Sequence, residues 1–277
     1  MNKTSIEWTE ASWNCVRGCS RVFEGCRNCH AERMAARFSR EGLPYEGLAV
    51  MTPSGPRWTN EVSCVEDLLF EPFRWKKPHK VFVNSMTDLF HEQVPFDFIH
   101  RVFHTMRYAN MHTFQILTKR SGRLRALDQH LPWSQRIWMS VSVETAGYEF
   151  RIDDLRATGA RIKFLSLEPL LGPLSELNLS AIDWVIVGGE SGPGARPMDA
   201  AWVQDVRDQC ERADVSFFFK QWGTLRNNPD PRDASAKQYG GTAKGGRMPE
   251  GRTWDEMPVA LRNPDPRRLA ADAGVMP

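Results

Sequence analysis

Nowhere in the 277 residues do eighteen apolar residues run together, and the opening stretch MNKTSIEWTEASWNC holds no continuous apolar run. A membrane-spanning helix needs roughly twenty such residues, so no membrane span, signal peptide or N-terminal anchor is expected. Charge of one sign is missing too: 36 basic residues against 34 acidic ones leave a formal +2. That balance implies no global field for nucleic acid, although local basic patches do not depend on it. There is no internal repeat. Disulfides are not expected either, because four of the six cysteines fall between positions 15 and 29 and a chain of this length folds without them. Thiols clustered in this way in a reducing compartment point to metal, and a cytoplasmic location is expected.

With 41% hydrophobic and 25% charged residues, the composition suits one large globular domain or one domain with a short appendage. Residues 1–30 show no helical stripe. In AERMAARFSREG, Ala31, Met34, Ala35 and Phe38 then recur at helical spacing and Gly42 supplies a stop, so the cysteines sit on a loop that leads into a helix. Residues 43–80 carry Pro44, Pro53, Pro56, Pro72 and Pro78 and read as irregular, with a short helical candidate around Glu61–Leu69.

From residue 81 onward, short β-branched or aromatic runs alternate with amphipathic ones. The runs are 81–85, 113–119, 136–143, 161–168, 183–190 and 216–222; the amphipathic stretches are 97–109, 121–131, 147–158 and 200–213. Doubly buried strands alternating with helices predict an α/β fold with a parallel sheet, and right-handed crossovers curl it into a partial (β/α)6 TIM-like barrel. Residues 1–225 form this unit, with a cluster loop at 13–30. Residues 226–277, rich in Gly, Pro and polar groups, are expected to be a C-terminal loop-rich flap or tail.

Cys15, Cys19, Cys26 and Cys29 read C-x3-C-x6-C-x2-C, a spacing that lets thiolates converge on one soft metal centre. Spacing alone leaves two readings. A structural zinc site uses all four thiols; an iron–sulfur cluster held by three leaves one iron open.

The blocks SIEWTEASWNCVRGCSRVFEGCRNCHAERMA, KFLSLEPLLGP, WVIVGGESGPGARPM, FFFKQWG and GRTWDEMP resemble the phage gene-product 37/68 family of radical-SAM-like proteins with a three-cysteine motif, over about residues 4–258. The resemblance implies a barrel of radical SAM type in which Cys19, Cys26 and Cys29 hold a [4Fe-4S] cluster. It also implies S-adenosyl-L-methionine as second cofactor and a flavodoxin-like or ferredoxin-like electron donor as partner. Position 15 commonly carries Pro in that family, so Cys15 is a departure, a spectator thiol or a fourth ligand; His30 stands where Tyr is usual.

Further candidates lie at strand ends, where such barrels bind ligands. Ser85, Thr87, Asp88 and Glu92 are similar to an acidic and hydroxyl element of the spore photoproduct lyase group that helps hold the methionine amino group; a turn cap and a surface carboxylate are the plain alternative. Thr118 and Lys119 are similar to a T-K pair of the same group, where a cation meets a carboxylate or phosphate. Ser140, Ser142, Glu144, Ser166 and Glu168 alternate onto one face and would point into one cavity. The glycines of 188–194 allow close backbone approach, which makes Gly188, Gly189, Glu190 and Ser191 candidates to touch adenosine or substrate, with a bare turn as the plain alternative. Lys220, Gln221 and Trp222 suit a base or phosphate, whereas Cys64 and Cys210 read as packing residues. The likeness to the photoproduct lyase group suggests DNA, a nucleotide or a nucleobase as substrate, in repair or modification, with Lys119, Arg120, Arg123, Arg125 and Lys220 as phosphate contacts. Two rival classes remain: a zinc-stabilised nucleic-acid-binding protein, and a barrel hydrolase using Glu144, Glu168 or Glu190.

Overall fold

Strands covered on both faces can be apolar at every position, and runs such as IWMSVS and WVIVG are buried throughout. The computed structural model describes residues 2–258 except 231, 234, 240 and 241. Its main sheet has eight strands: β1 (Asn2–Lys3), β2 (Ala11–Trp13), β3 (Lys80–Val83), β4 (Thr113–Thr118), β5 (Ile137–Ser142), β6 (Ile162–Leu167), β7 (Trp184–Gly188) and β8 (Ser216–Gln221). They are joined in that order, β1 antiparallel to β2 and β2 through β8 parallel. The helices are α1 (His30–Arg37), α2 (Phe96–Tyr108), α3 (Ser121–Leu127), α4 (Phe150–Arg156) and α5 (Ala200–Ala213).

The half-barrel thus has seven parallel strands, one more than the alternation predicts. The extra one, β2, is three residues long and belongs to the Trp- and Cys-rich opening, too short to show a period. No helix lies between β6 and β7, so the (β/α) unit is not repeated there. The stretch 61–69 forms no α-helix. Ser63–Cys64 pairs with Val16–Arg17 and ties it to the cysteine loop. An unanticipated hairpin, Ala49–Thr52 with Gly55–Trp58, turns at Gly55, whose φ of 103° favours glycine.

The two faces of the sheet differ. Outward residues such as Val83, Ile116, Met139 and Leu165 join the large core, to which α2 contributes Phe98, Ile99, Val102, Phe103 and Met106 as one buried stripe. α5 is set by Asp199, whose carboxylate accepts Ala201 N–H at 2.9 Å, and by the left-handed Asp214 after its last turn. Inward, the N-terminal ends carry an aromatic plug of Trp8, Phe82, Trp138, Phe164, Trp184 and Phe218, with ring centroids of Trp8 and Phe82 4.8 Å apart and of Phe164 and Trp184 5.2 Å apart. Each such aromatic contributes on the order of 3 kcal/mol by burial. Above the plug the inward positions turn polar, which leaves the C-terminal ends of the strands as the place for chemistry.

Residues 245–258 lie along the free edge of β8. Trp222 N–H donates to the Gly246 carbonyl and Phe219 N–H to that of Trp254, both at 2.9 Å, and the buried Trp254 packs edge-on against Phe217. An unpaired strand edge is covered in this way. Of the expected flap or tail, 231, 234, 240, 241 and 259–277 lie outside the described residues. Among the described residues no helix is long and apolar enough to cross a membrane.

Candidate functional site

β2 ends at Trp13, and the chain then turns through Gly18, whose φ is 82° and whose α-carbon faces the Glu61 carbonyl so closely that a Cβ would collide with it. Thr87 Oγ1 donates to the Gly18 carbonyl and anchors the loop to the end of β3. Cys26 N–H donates to Phe23 O at 3.0 Å and closes a 3-10 turn over Glu24–Cys26. Cys29 directly precedes α1, and its carbonyl accepts Arg33 N–H at 3.3 Å. These turns bring Cys19, Cys26 and Cys29 to the wall of one cavity of about 150 Å³, which Ser20, Asn84, Ser85, Thr87, Asp88, Thr118, Lys119 and Arg120 also line.

Cys15 is elsewhere. It is fully buried in the large core, and its thiol donates to Asn84 Oδ1 at 3.8 Å. Burial pushes that thiol far up. Burial likewise pushes Cys19 up to about 12; the Asp88 carboxylate adds to the effect and the Arg120 guanidinium opposes it. Cys29 is raised by burial, and the nearby Cys26 adds to it. Among the described residues no three His, Cys, Asp or Glu side chains share a single-ion position.

Asn84 carries two facts together. Its Oδ1 accepts Val16 N–H at 3.1 Å, which fixes the amide orientation, and its buried Nδ2 has no hydrogen-bond partner. It sits at φ 56°, a left-handed conformation that asparagine tolerates. This donor at the cavity wall was missed in VFVNS, where being the first polar residue after β3 was the signal.

Ser85, Thr87, Asp88, Thr118 and Lys119 line the thiol cavity, whereas Glu92 does not. Asp88 is heavily engaged: it accepts from Thr118 Oγ1 at 2.7 Å, Phe90 N–H at 3.0 Å, Lys119 N–H at 2.9 Å and Arg120 Nη1 at 3.3 Å. It therefore clasps the ends of β3 and β4. Glu92 pairs with Arg120 Nε at 2.9 Å from the exposed side. Arg120 also donates to Ser20 Oγ at 2.8 Å, and Ser20 meets His91 Nε2 at 2.8 Å, so this arginine ties the cysteine loop to both strand ends.

Deeper in the barrel, Ser142 and Ser166 face each other across β5 and β6. Ser142 Oγ is buried without a partner, and Ser166 Oγ donates to Glu168 Oε2 at 3.1 Å. Ser140 Oγ donates to Val141 O at 3.4 Å. Glu144, fully buried, is held between Lys119 and Arg151, the latter at 3.2 Å. Phe23 of the cysteine loop stacks on both cations, 5.4 Å from Lys119 Nζ and 4.6 Å from the Arg151 guanidinium. Glu168 pairs with Lys220 at 2.8 Å. Burial alone would lower both lysines, but Glu144 and Glu168 outweigh it and leave each raised.

The loop 188–194 meets the cysteine loop. Glu190 accepts Asn28 Nδ2 at 2.8 Å, Arg196 Nη2 at 2.6 Å and Arg196 N–H at 2.9 Å. Burial would raise its carboxyl, yet these hydrogen bonds hold it below the usual range. Arg33 Nη2 donates to Ser191 O at 2.9 Å. Gly189 has no room for a Cβ, which would strike the Trp222 carbonyl, and Gln221 Nε2 donates to the Gly189 carbonyl at 3.0 Å. Trp222 is buried. Arg123 is spent on the carbonyls of His91 and Val94, and Arg125 on Asp154 at 3.2 Å; neither lines the cavity. Sequence reasoning missed Phe23, Asn28, Arg151 and Arg196: the partners of Phe23 and Asn28 lie far along the chain, and Glu144 and Glu190, the nearby partners of Arg151 and Arg196, are brought to them by loop packing.

Among solved structures, the chain is similar to a spore photoproduct lyase complexed with dinucleoside spore photoproduct, at 11% identity and a TM-score of 0.43, over 86% of this chain and 69% of that one. No curated protein matches. The chain belongs to the family described as "Protein of unknown function (DUF5131)", which matches residues 3–258.

Proposed function

We propose that the protein is a radical SAM enzyme in which Cys19, Cys26 and Cys29 hold a [4Fe-4S] cluster. The observation that carries this reading is the division among the four clustered cysteines: three thiols line one cavity, and Cys15 is turned into the core toward Asn84. The donor set fits. Cys19, Cys26 and Cys29 would hold the cluster as thiolates and would leave one coordination position open, and the orphaned Asn84 Nδ2 offers a hydrogen bond at the same wall. When bound, such a cluster would supply a coordination site for the amino and carboxylate groups of S-adenosyl-L-methionine and the one electron for its reductive cleavage.

The chain's own groups then divide the remaining tasks. Ser85 and Thr118 supply hydroxyls at the cavity wall for the polar end of S-adenosyl-L-methionine, while Asp88 orients Lys119 and Arg120 through its hydrogen bonds. Ser140, Ser142 and Glu168 line the barrel interior beside it as candidate contacts for the adenosine. Gly189 and Glu190 position the loop that closes over the cysteines. A flavodoxin-like or ferredoxin-like donor supplies the electron, and the substrate class is a nucleic acid or nucleobase.

The rival readings fit less well. A four-thiol zinc site needs Cys15, whose Sγ is engaged in the core. A hydrolase needs a free carboxyl pair, yet Glu144, Glu168 and Glu190 are each bound to a cation. Anaerobic incubation of the iron-loaded protein with S-adenosyl-L-methionine and dithionite tests the proposal. Release of 5′-deoxyadenosine is expected, dependent on reductant; none from a protein that holds its full iron contradicts it.

A further inference from the structure

A second cavity, of about 620 Å³, opens beside the thiol cavity between the cysteine loop, the hairpin 49–58 and the loop at Pro193; Cys29 lines both. Four arginines, Arg21, Arg27, Arg33 and Arg57, line it, with Glu32 as its one carboxylate. That carboxylate is already used: Glu32 is buried, pairs with Arg21 and accepts Trp58 N–H at 2.9 Å. Among the described residues the other three guanidiniums have no carboxylate partner. Arg33 donates to Ser191 O at 2.9 Å, Arg57 to Pro56 O at 2.8 Å and Ser54 Oγ at 3.4 Å, and Arg27 is exposed. Elsewhere Arg101, Arg120, Arg151, Arg196 and Arg247 all pair with carboxylates. An excess of positive charge is thus gathered here in a chain with almost no net charge.

Planar guanidinium forks match the oxygens of a phosphate and bind it bidentately. The cavity is about four times the volume of the thiol cavity, so it holds more than a bare ion. We infer that this pocket binds the phosphate ester of a nucleotide, free or within a strand, through Arg27, Arg33 and Arg57. The binding stands on the pocket alone. That the ester belongs to the substrate rests on the radical reading, because the shared wall at Cys29 sets the pocket next to the three thiols.

Fluorescence anisotropy with a fluorescein-labelled single-stranded DNA 12-mer, at several salt concentrations, tests the site. Arg27→Ala/Arg57→Ala is expected to weaken binding at least tenfold and to flatten the salt dependence by about 1.4, roughly 0.7 per lost phosphate contact. An Arg107→Ala/Arg136→Ala control, equal in charge but on exposed positions elsewhere, is expected to stay within about twofold. Competition with AMP assigns the source: displacement supports a free nucleotide, and binding of the 12-mer alone supports a strand. Absence of wild-type binding both to the 12-mer and, by calorimetry, to AMP, an unchanged affinity in the pocket variant, or an equal loss in the control overturns the inference. Should the double variant fail to fold, Arg27→Gln alone, at an exposed unpaired residue, reads the same affinity. Iron content and 5′-deoxyadenosine release report on the cluster separately, so each proposal can fail without the other.

Discussion

The Cys15 thiol points to Asn84 Oδ1, 3.8 Å away inside the core, while the thiols of Cys19, Cys26 and Cys29 share a cavity on the other side of Asn84. One side chain thereby separates a packing cysteine from three candidate ligands. Cys15→Ala is expected to leave iron binding unchanged and to cost about 1 kcal/mol from lost packing and a weak hydrogen bond. A fall in melting temperature of about 2–4 °C with unaltered iron stoichiometry would show this.

Asp88 joins two strand ends and a buried arginine. Asp88→Asn removes the charge opposite Arg120, which keeps the exposed Glu92 as a carboxylate partner. A loss of roughly 2–3 kcal/mol is expected in urea denaturation, since hydrogen bonds to charged groups are worth about 1.5–3 kcal/mol. A neutral outcome would mean that Asp88 is not structural but free for a ligand.

The thiols make the iron-free protein sensitive to alkali. Cys19 is raised to about 12 in the folded state by burial, with Asp88 adding to it, whereas an unfolded cysteine titrates near 8.5. Above about pH 8.5 the unfolded chain loses this proton and the folded one keeps it, so stability is complete below that pH and falls as pH rises toward 12. Each such thiol contributes at most about 1.4 kcal/mol per pH unit. Urea midpoints of the reduced, iron-free protein at pH 7.5, 8.5 and 9.5 are expected to fall, and to fall less in Cys19→Ser.

Gly189→Ala places a methyl group against the Trp222 carbonyl and is expected to destabilise by about 1–3 kcal/mol or more. Gly194→Ala meets no atom within 4 Å and costs only its positive φ of 74°, about 1 kcal/mol. Thermal melts of the two variants should rank in that order.

Much of the architecture was legible because parallel strands buried on both faces are continuous apolar runs: VFVNS, TFQILTK and DWVIVGGE became β3, β4 and β7 within one or two residues at each end. The three-residue β2 was not, since a period cannot show over so short a span. The grouping of Cys19, Cys26 and Cys29 was readable from spacing and resemblance, but the fate of Cys15 was not, because it depends on Asn84, distant in sequence. Strand-end polarity pointed to Asp88, Glu144 and Glu190. It could not tell that each is matched by a cation, as those partners, Arg120, Arg151 and Arg196, are set by loop packing. The guanidinium pocket was hidden for the same reason: Arg27 and Arg57 come together only when the hairpin folds against the cysteine loop.

Iron and acid-labile sulfide, with an absorption spectrum, measured anaerobically on the reconstituted wild type and on Cys19→Ala, Cys26→Ala, Cys29→Ala and Cys15→Ala, bear most directly on the cluster. A brown protein with about four irons, lost in each of the first three variants and kept in Cys15→Ala, is the predicted result. A colourless protein holding one zinc that needs all four thiols would contradict it and leave a zinc-stabilised binding protein in its place.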